Sequence, residues 1–249
     1  MGGSKVSAMV AVVGSSVLML TGCGGDSGAE DQPFAGKSAD QVAAEAVKAT
    51  GHATSMHVSG TVRQSAGDAL DVDLSVDRDK NCEGTVKTAG TTVEVRHVDT
   101  TLYLRGDEGY WKSALKGQPR SDTLVPKLKG KWVKVPSDDS ATEGLCDKQG
   151  LVASMDEDKS ERKGLKKSST TTVDGTKAIR LTKRATGGET LTLYVATEGK
   201  PYILRTTTRG GKSPNTATFS DYGKAVDPQK PAAGETVDLK EIASSGQAG

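Results

Sequence analysis

Leu20-Thr21-Gly22-Cys23 carries the clearest chemical signal in the chain. Small side chains directly before a cysteine, at the end of an apolar run, fit the cleavage pocket of a lipoprotein signal peptidase. The Cys23 thiol is then the nucleophile that takes up a diacylglyceryl group. The preceding residues fit this reading. Lys5 is the only charge among residues 1–22, and an apolar stretch from Val6 to Leu20 is interrupted by Gly14, Ser15 and Ser16. That stretch is too weak for a transmembrane helix and has the form of a secretory h-region. Two acyl chains on Cys23 give a stable anchor without any spanning segment. The expected location is the extracytoplasmic face of a cell membrane, lipid-anchored.

Cys82 and Cys146 are the only other cysteines. An exported compartment is oxidising and an even count invites pairing, so a disulfide is favoured over two free buried thiols. A metal site is not expected, because His52, His57 and His97 have no ligand spacing with either cysteine and no CxxC occurs. No catalytic constellation is present: GxSxG, HExxH, a Walker loop and GxGxxG are all missing. The acid pairs Asp71/Asp73 and Asp138/Asp139 read as a solvated strand face and a loop. A calcium site at Asp71, Asp73 and Asp77 lacks the loop and glycine pattern such a site needs. With Lys+Arg 33 against Asp+Glu 32, the chain has no basic excess for nucleic acid. Two basic stretches, Lys127–Lys134 and Lys159–Lys167, read as soluble faces, with anionic lipid head groups as the alternative. No enzyme activity and no cofactor are expected.

The elements that position these residues follow from period. Residues 23–37 are Gly- and acid-rich and read as a flexible tether. Ser38 and Gln41 form a capping-box pattern, and Val42, Ala43, Ala46, Val47 and Ala49 repeat at helical spacing up to Gly51. The period then changes to two. Met56, Val58, Gly60 and Val62 alternate with polar residues, and Leu70, Val72, Leu74 and Val76 alternate with Asp71, Asp73, Ser75 and Asp77. Further strands are expected around 82–88, 92–98, 101–105, 131–136, 168–174, 177–184, 189–197, 201–209 and 215–221. Their short links join antiparallel neighbours. Residues 107–128 suggest short helical turns broken at Pro119 and Pro126, and 150–158 a short helix. The chain after Val226 reads as an extended edge, with a frayed tail over 241–249.

The predicted fold class is α+β. One large curved antiparallel sheet of about ten strands, an unclosed barrel, carries an N-terminal helix and short helices on its apolar face, in a single domain over 38–240. Large apolar residues are sparse for such a sheet. Trp111 and Trp132, the only tryptophans, read as core fillers or as the mouth of an apolar cavity.

The order of these features resembles a known group. A lipobox, a tether, a first helix, MHVSGTV at 56–62, TLYLRGDEGYWKSAL at 101–115, GKWVKVP at 130–136 and YVATEGKPYILR at 194–205 are together similar to actinobacterial envelope lipoproteins. More distantly they resemble the LppX/LprG-type lipoproteins and the LolA-type lipoprotein carriers. The resemblance implies an unclosed barrel plugged by helices, with acyl chains held between the layers and lipids or lipoproteins carried across the envelope. On this sequence the cavity floor would be Val58, Val72, Leu74, Leu102, Leu104, Leu193 and Val195, with Trp111 and Trp132 at its mouth. The implied partners are the membrane, through diacylglyceryl-Cys23, and a lipid or other hydrophobic ligand. The alternative is an anchored structural or sensory module that binds another envelope protein and has no cavity. The anchor makes the first testable statement: Cys23→Ser is expected to release the protein from the membrane fraction into the medium, and continued retention would contradict it.

Overall fold

The computed structural model describes residues 33–63, 69–135, 144–155, 162–185, 187–211 and 214–238. Cys23, the leader, tether residues 23–32, Asp138, Asp139 and the 241–249 tail lie outside the described residues.

The first helix, α1 (Ala39–His52), starts where its cap dictates. Ser38 Oγ accepts from the Gln41 amide at 3.1 Å, and Gln41 Oε1 accepts from the Ser38 amide at 2.7 Å. This reciprocal pair satisfies two amides that the first turn leaves orphaned. Val42, Ala43 and Ala46 are buried at helical spacing, so α1 lies on the sheet through small side chains. Pro33–Gly36 forms a turn directly before it. Phe34 packs against the core, and its carbonyl accepts from Lys167 Nζ at 2.7 Å.

The sheet follows in two runs. The first contains β1 (Ser55–Arg63), β2 (Ala69–Asp77), β3 (Cys82–Thr88), β4 (Thr91–Val98) and β5 (Thr101–Gly106). After α2 (Glu108–Ala114) and α3 (Ser121–Leu128) come β6 (Trp132–Val135) and α4 (Lys148–Ser154). The second run is β7 (Lys166–Val173), β8 (Thr176–Arg184), β9 (Thr190–Ala196), β10 (Ile203–Arg209) and β11 (Asn215–Ser220), with β12 (Thr236–Asp238) last. All belong to one 12-stranded sheet in the order β12-β6-β5-β4-β3-β2-β1-β11-β10-β9-β8-β7. Each run is a meander, as short links demand, and β1 joins them by pairing antiparallel with β11. Only β12 runs parallel to its neighbour, β6. The sheet ends at β12 and β7 without closing. The α+β class and the curved, unclosed antiparallel sheet are therefore as expected.

One sequence expectation changes in detail. The described residues hold the first helix and three short ones, as expected, but Pro126 lies inside α3 instead of breaking it. Pro126 is exposed on the second turn of a two-turn helix, so the amide it lacks would have bonded the exposed Asp122 carbonyl, which water can serve.

The concave face holds the main core. At one end α2 and α3 bring Trp111, Val125 and Leu128 over Leu102, Leu104 and Val133, all buried. Glu108 fastens this end, accepting Lys112 Nζ at 2.7 Å and Lys129 Nζ at 2.9 Å. Those two ammonium groups hold its carboxyl down to about 2. At the other end α1 covers β9 and β10. The buried Thr50 hydroxyl accepts from the Ile203 amide at 3.1 Å, at a bulge in β10. Tyr222 donates to the Ile203 carbonyl, and burial raises its phenol above the ordinary tyrosine value.

Trp132 is not at a cavity mouth. Val133 and Val135 pair inward with Leu104 and Leu102, so the neighbouring Trp132 must point outward. There it is only 2% exposed, between the guanidiniums of Arg96 and Arg105, each 4.6 Å from the ring. Arg105 is held by Glu94 at 3.0 and 2.5 Å, and Arg96 donates to the Gln229 carbonyl at 3.1 Å, which ties the C-terminal strap to the convex face.

Cys82 and Cys146 are joined across a sequence separation of 64, with Cα atoms 5.6 Å apart. A loop of this length constrains the unfolded chain by about 4 kcal/mol in the chain-entropy treatment. Cys82→Ser combined with Cys146→Ser is thus expected to lower the unfolding free energy by up to about 4 kcal/mol, read as a reduced urea midpoint. An unchanged midpoint would contradict this.

Candidate functional site

Strand register aligns the concave side chains into rows. One row reads Leu74, Val58, Phe219 across β2, β1 and β11. The next reads Val72, Gly60, Ala217, Thr206, Leu193 across β2, β1, β11, β10 and β9. The centre of this second row has almost no side-chain volume. Gly60 is a backbone requirement: at φ +152° its missing Cβ would lie 2.0 Å from the Thr216 carbonyl oxygen. Gly84 in β3 is under the same constraint, with the Asp73 carbonyl oxygen 2.0 Å away.

Above this shallow place is a partly enclosed cavity of about 390 Å³. Its floor includes Val58, Val72, Leu74, Val76, Ala217 and Phe219, and its roof is Leu145, Leu151 and Met155 on and beside α4. The volume lies within the about 300–1,000 Å³ range of small-molecule sites. A water-sized group occupies roughly 30 Å³, so on the order of a dozen methylenes fit. Leu151, 38% exposed, is the large hydrophobic most open to solvent among the described residues and stands at the cavity edge.

The roof is held from three sides. Cys146 is bonded to Cys82. Asp147 caps α4, its carboxylate accepting from the Gly150 amide at 2.9 Å. Lys148, only 1% exposed, turns away toward α1 and donates to the Gly51 carbonyl at 3.0 Å. That carbonyl sits at the negative end of the helix, where an ammonium is favoured. Burial, and secondarily the charge of Arg78, lowers the Lys148 pKa below its ordinary value.

The residues named from sequence divide between places. Val58, Val72 and Leu74 line the cavity. Leu102, Leu104 and Trp111 are buried beneath α2 and α3, in the filled half of the core. Leu193 extends the shallow row beyond Thr206, and Val195 is fully buried in the β8–β10 region that α1 covers. Trp132 is on the opposite face. The roof residues Leu145, Leu151 and Met155 were not singled out, although Leu151 and Met155 stand four apart, at helical spacing.

Of the polar groups considered for chemistry, His97 lies in the concave row Cys82–His97–Leu102 with its buried Nδ1 unpartnered among the described residues, whereas His57, Asp71 and Asp77 are engaged structurally on the convex face. His57 Nδ1 is 3.1 Å from Ser75 Oγ and its Nε2 is 3.5 Å from Asp73. Asp71 accepts from the Thr61 hydroxyl at 2.5 Å. Asp77 closes the β2–β3 turn by accepting the amides of Asp79 and Asn81, each at 2.9 Å. Among the described residues no cluster of three or more His, Cys, Asp or Glu is placed to hold a metal ion. No described helix is long and apolar enough to cross a membrane.

The fold is similar to that of LprF from Mycobacterium bovis, with 16% identity, 78% of this chain and 97% of that chain covered, and a TM-score of 0.53. It is also similar to that of Mycobacterium tuberculosis lipoprotein LppX, with 17% identity, coverage of 76% and 98%, and a TM-score of 0.45. No protein-family model and no curated protein matches the sequence. The likeness is one of fold.

Lys148 gives a pH test of the roof. The unfolded chain keeps the lysine proton up to about its ordinary value of 10.5, whereas the folded chain gives it up earlier. Between those values the unfolded state binds more protons, so stability rises with pH. Lys148→Met is expected to remove this part of the alkaline rise, measured as the difference in urea midpoint between variant and parent from pH 7 to 10. Parallel profiles would show that Lys148 is not buried in this way.

Proposed function

We propose that this chain is an extracytoplasmic lipoprotein, tethered through acylated Cys23, whose folded domain holds a hydrocarbon ligand in the cavity beneath α4. The observation that carries the reading is the cavity of about 390 Å³, whose floor and roof are mainly aliphatic. Water in such a space has few partners, and each methylene that replaces it contributes about 0.8 kcal/mol. The fold shared with LprF supports the same reading, because an unclosed sheet with short covering helices leaves room between its layers. The lipid anchor would keep the protein at a membrane, the source of such a guest.

The reading is tested by recovering the protein from its own cell envelope, extracting it with organic solvent and analysing the extract by mass spectrometry. A lipid in near-stoichiometric amount is expected. Ala217→Trp places an indole over the Gly60 row. Displacing two or more methylenes costs about 1.6 kcal/mol, so retained lipid should fall by about tenfold or more, with the far-ultraviolet circular dichroism unchanged. A parent protein that carries no lipid would instead favour an anchored module that binds another envelope protein.

A further inference from the structure

The two ends of the cavity differ in chemistry. Under α4 the lining is aliphatic: Val76, Leu74, Val58 and Phe219 face Leu145 and Leu151. Four residues along β2 from Val76 the lining reaches Val72, opposite Gly60, and on that side it changes to Thr206, Thr208 and Asn215, with Leu191 beside Thr208. At about 3.4 Å per residue the two ends are roughly 14 Å apart. A volume of about 390 Å³ over that length gives a mean section of roughly 28 Å², enough for one hydrocarbon chain and less than two need side by side.

Among the described residues that line the polar end, none is charged. Thr206 and Thr208 line the concave space from β10, and neither hydroxyl has a hydrogen-bond partner among the described residues. The charged residues that line the cavity do not suit an anion. Asp147 is itself a carboxylate. Lys148 is 1% exposed and donates to the Gly51 carbonyl on α1. An anionic head drawn into this space would lose water and gain no cation from the described lining, which is costly, whereas a hydroxyl or ester head can exchange water for the threonine hydroxyls.

We infer that the ligand is a single-chain amphiphile with an uncharged, hydrogen-bonding head group, of the monoacylglycerol class. Its chain lies under α4 and its head at Thr206 and Thr208. This rests on the hydrocarbon-binding reading above and fixes both chain number and head-group charge.

The test uses the soluble Cys23→Ser chain with N-phenyl-1-naphthylamine as a neutral fluorescent probe. Monolauroylglycerol, laurate at pH 8 and dilauroylglycerol compete for the probe. Monolauroylglycerol is expected to displace it at about tenfold lower concentration than either of the others. Thr206→Val combined with Thr208→Val keeps the shape and removes both hydroxyls. It should reduce the preference over laurate to about threefold or less, while Thr206→Ser with Thr208→Ser should retain it. Equal or tighter binding of laurate, or a preference that survives the valine pair, would overturn the head-group assignment. Equal competition by dilauroylglycerol would overturn the single chain. Failure of the probe itself to bind would remove the cavity reading beneath both.

Discussion

The absent side chain at Gly60 is the constraint on which the rest of the structure depends. The backbone there has a conformation in which a Cβ would collide with the Thr216 carbonyl, so no other residue fits without moving β11. Its two cross-strand partners on the concave face are Val72 and Ala217, with Thr206 one strand further. The sheet therefore has a low point near its middle that its own side chains do not fill. The geometry that lets β1 join the two meanders also keeps a space open above that join.

Coverage decides whether such a space survives. Twelve strands spaced by about 4.8 Å make a layer roughly 50 Å across. The seven residues of α4 span about 10 Å and the fourteen of α1 about 21 Å. The α2–α3 pair closes one half with Trp111 and Leu128, and α1 closes part of the other with small residues. What remains falls to α4, which is too short to bury its own Leu151 completely. Its position is set by ties outside the cavity: the Cys82–Cys146 bond and the Lys148 hydrogen bond to Gly51. A roof fixed from behind can stay in place whether or not the space beneath it is occupied. This separates the stability of the domain from the presence of a guest.

Much of this was legible in the sequence, for physical reasons. The alternation from Leu70 to Asp77 can only be a strand with one dry face, and Ser38 with Gln41 marks the start of α1 to the residue. With Cys23 assigned to the lipobox, the two remaining cysteines leave a single internal pairing. Three features were not legible. The side to which Trp132 points depends on whether Val133 or Trp132 pairs inward, and a four-residue strand with apolar residues on both faces does not reveal that. Leu102, Leu104 and Val58 look alike as alternating aliphatics, and only the placement of α2 and α3 separates the filled half of the trough from the open half. The roof escaped because Leu145, Leu151 and Met155 lie in a polar stretch. Their tertiary position comes from a disulfide and a buried lysine rather than from periodicity.

The most direct measurement of the central claim is a high-resolution crystal structure of the protein purified from its own envelope without a delipidation step. The account predicts continuous, elongated electron density for one chain passing over Gly60 and Ala217 beneath Leu151. Leu145, Leu151 and Met155 packed down onto Gly60, with no space left for a guest, would contradict it.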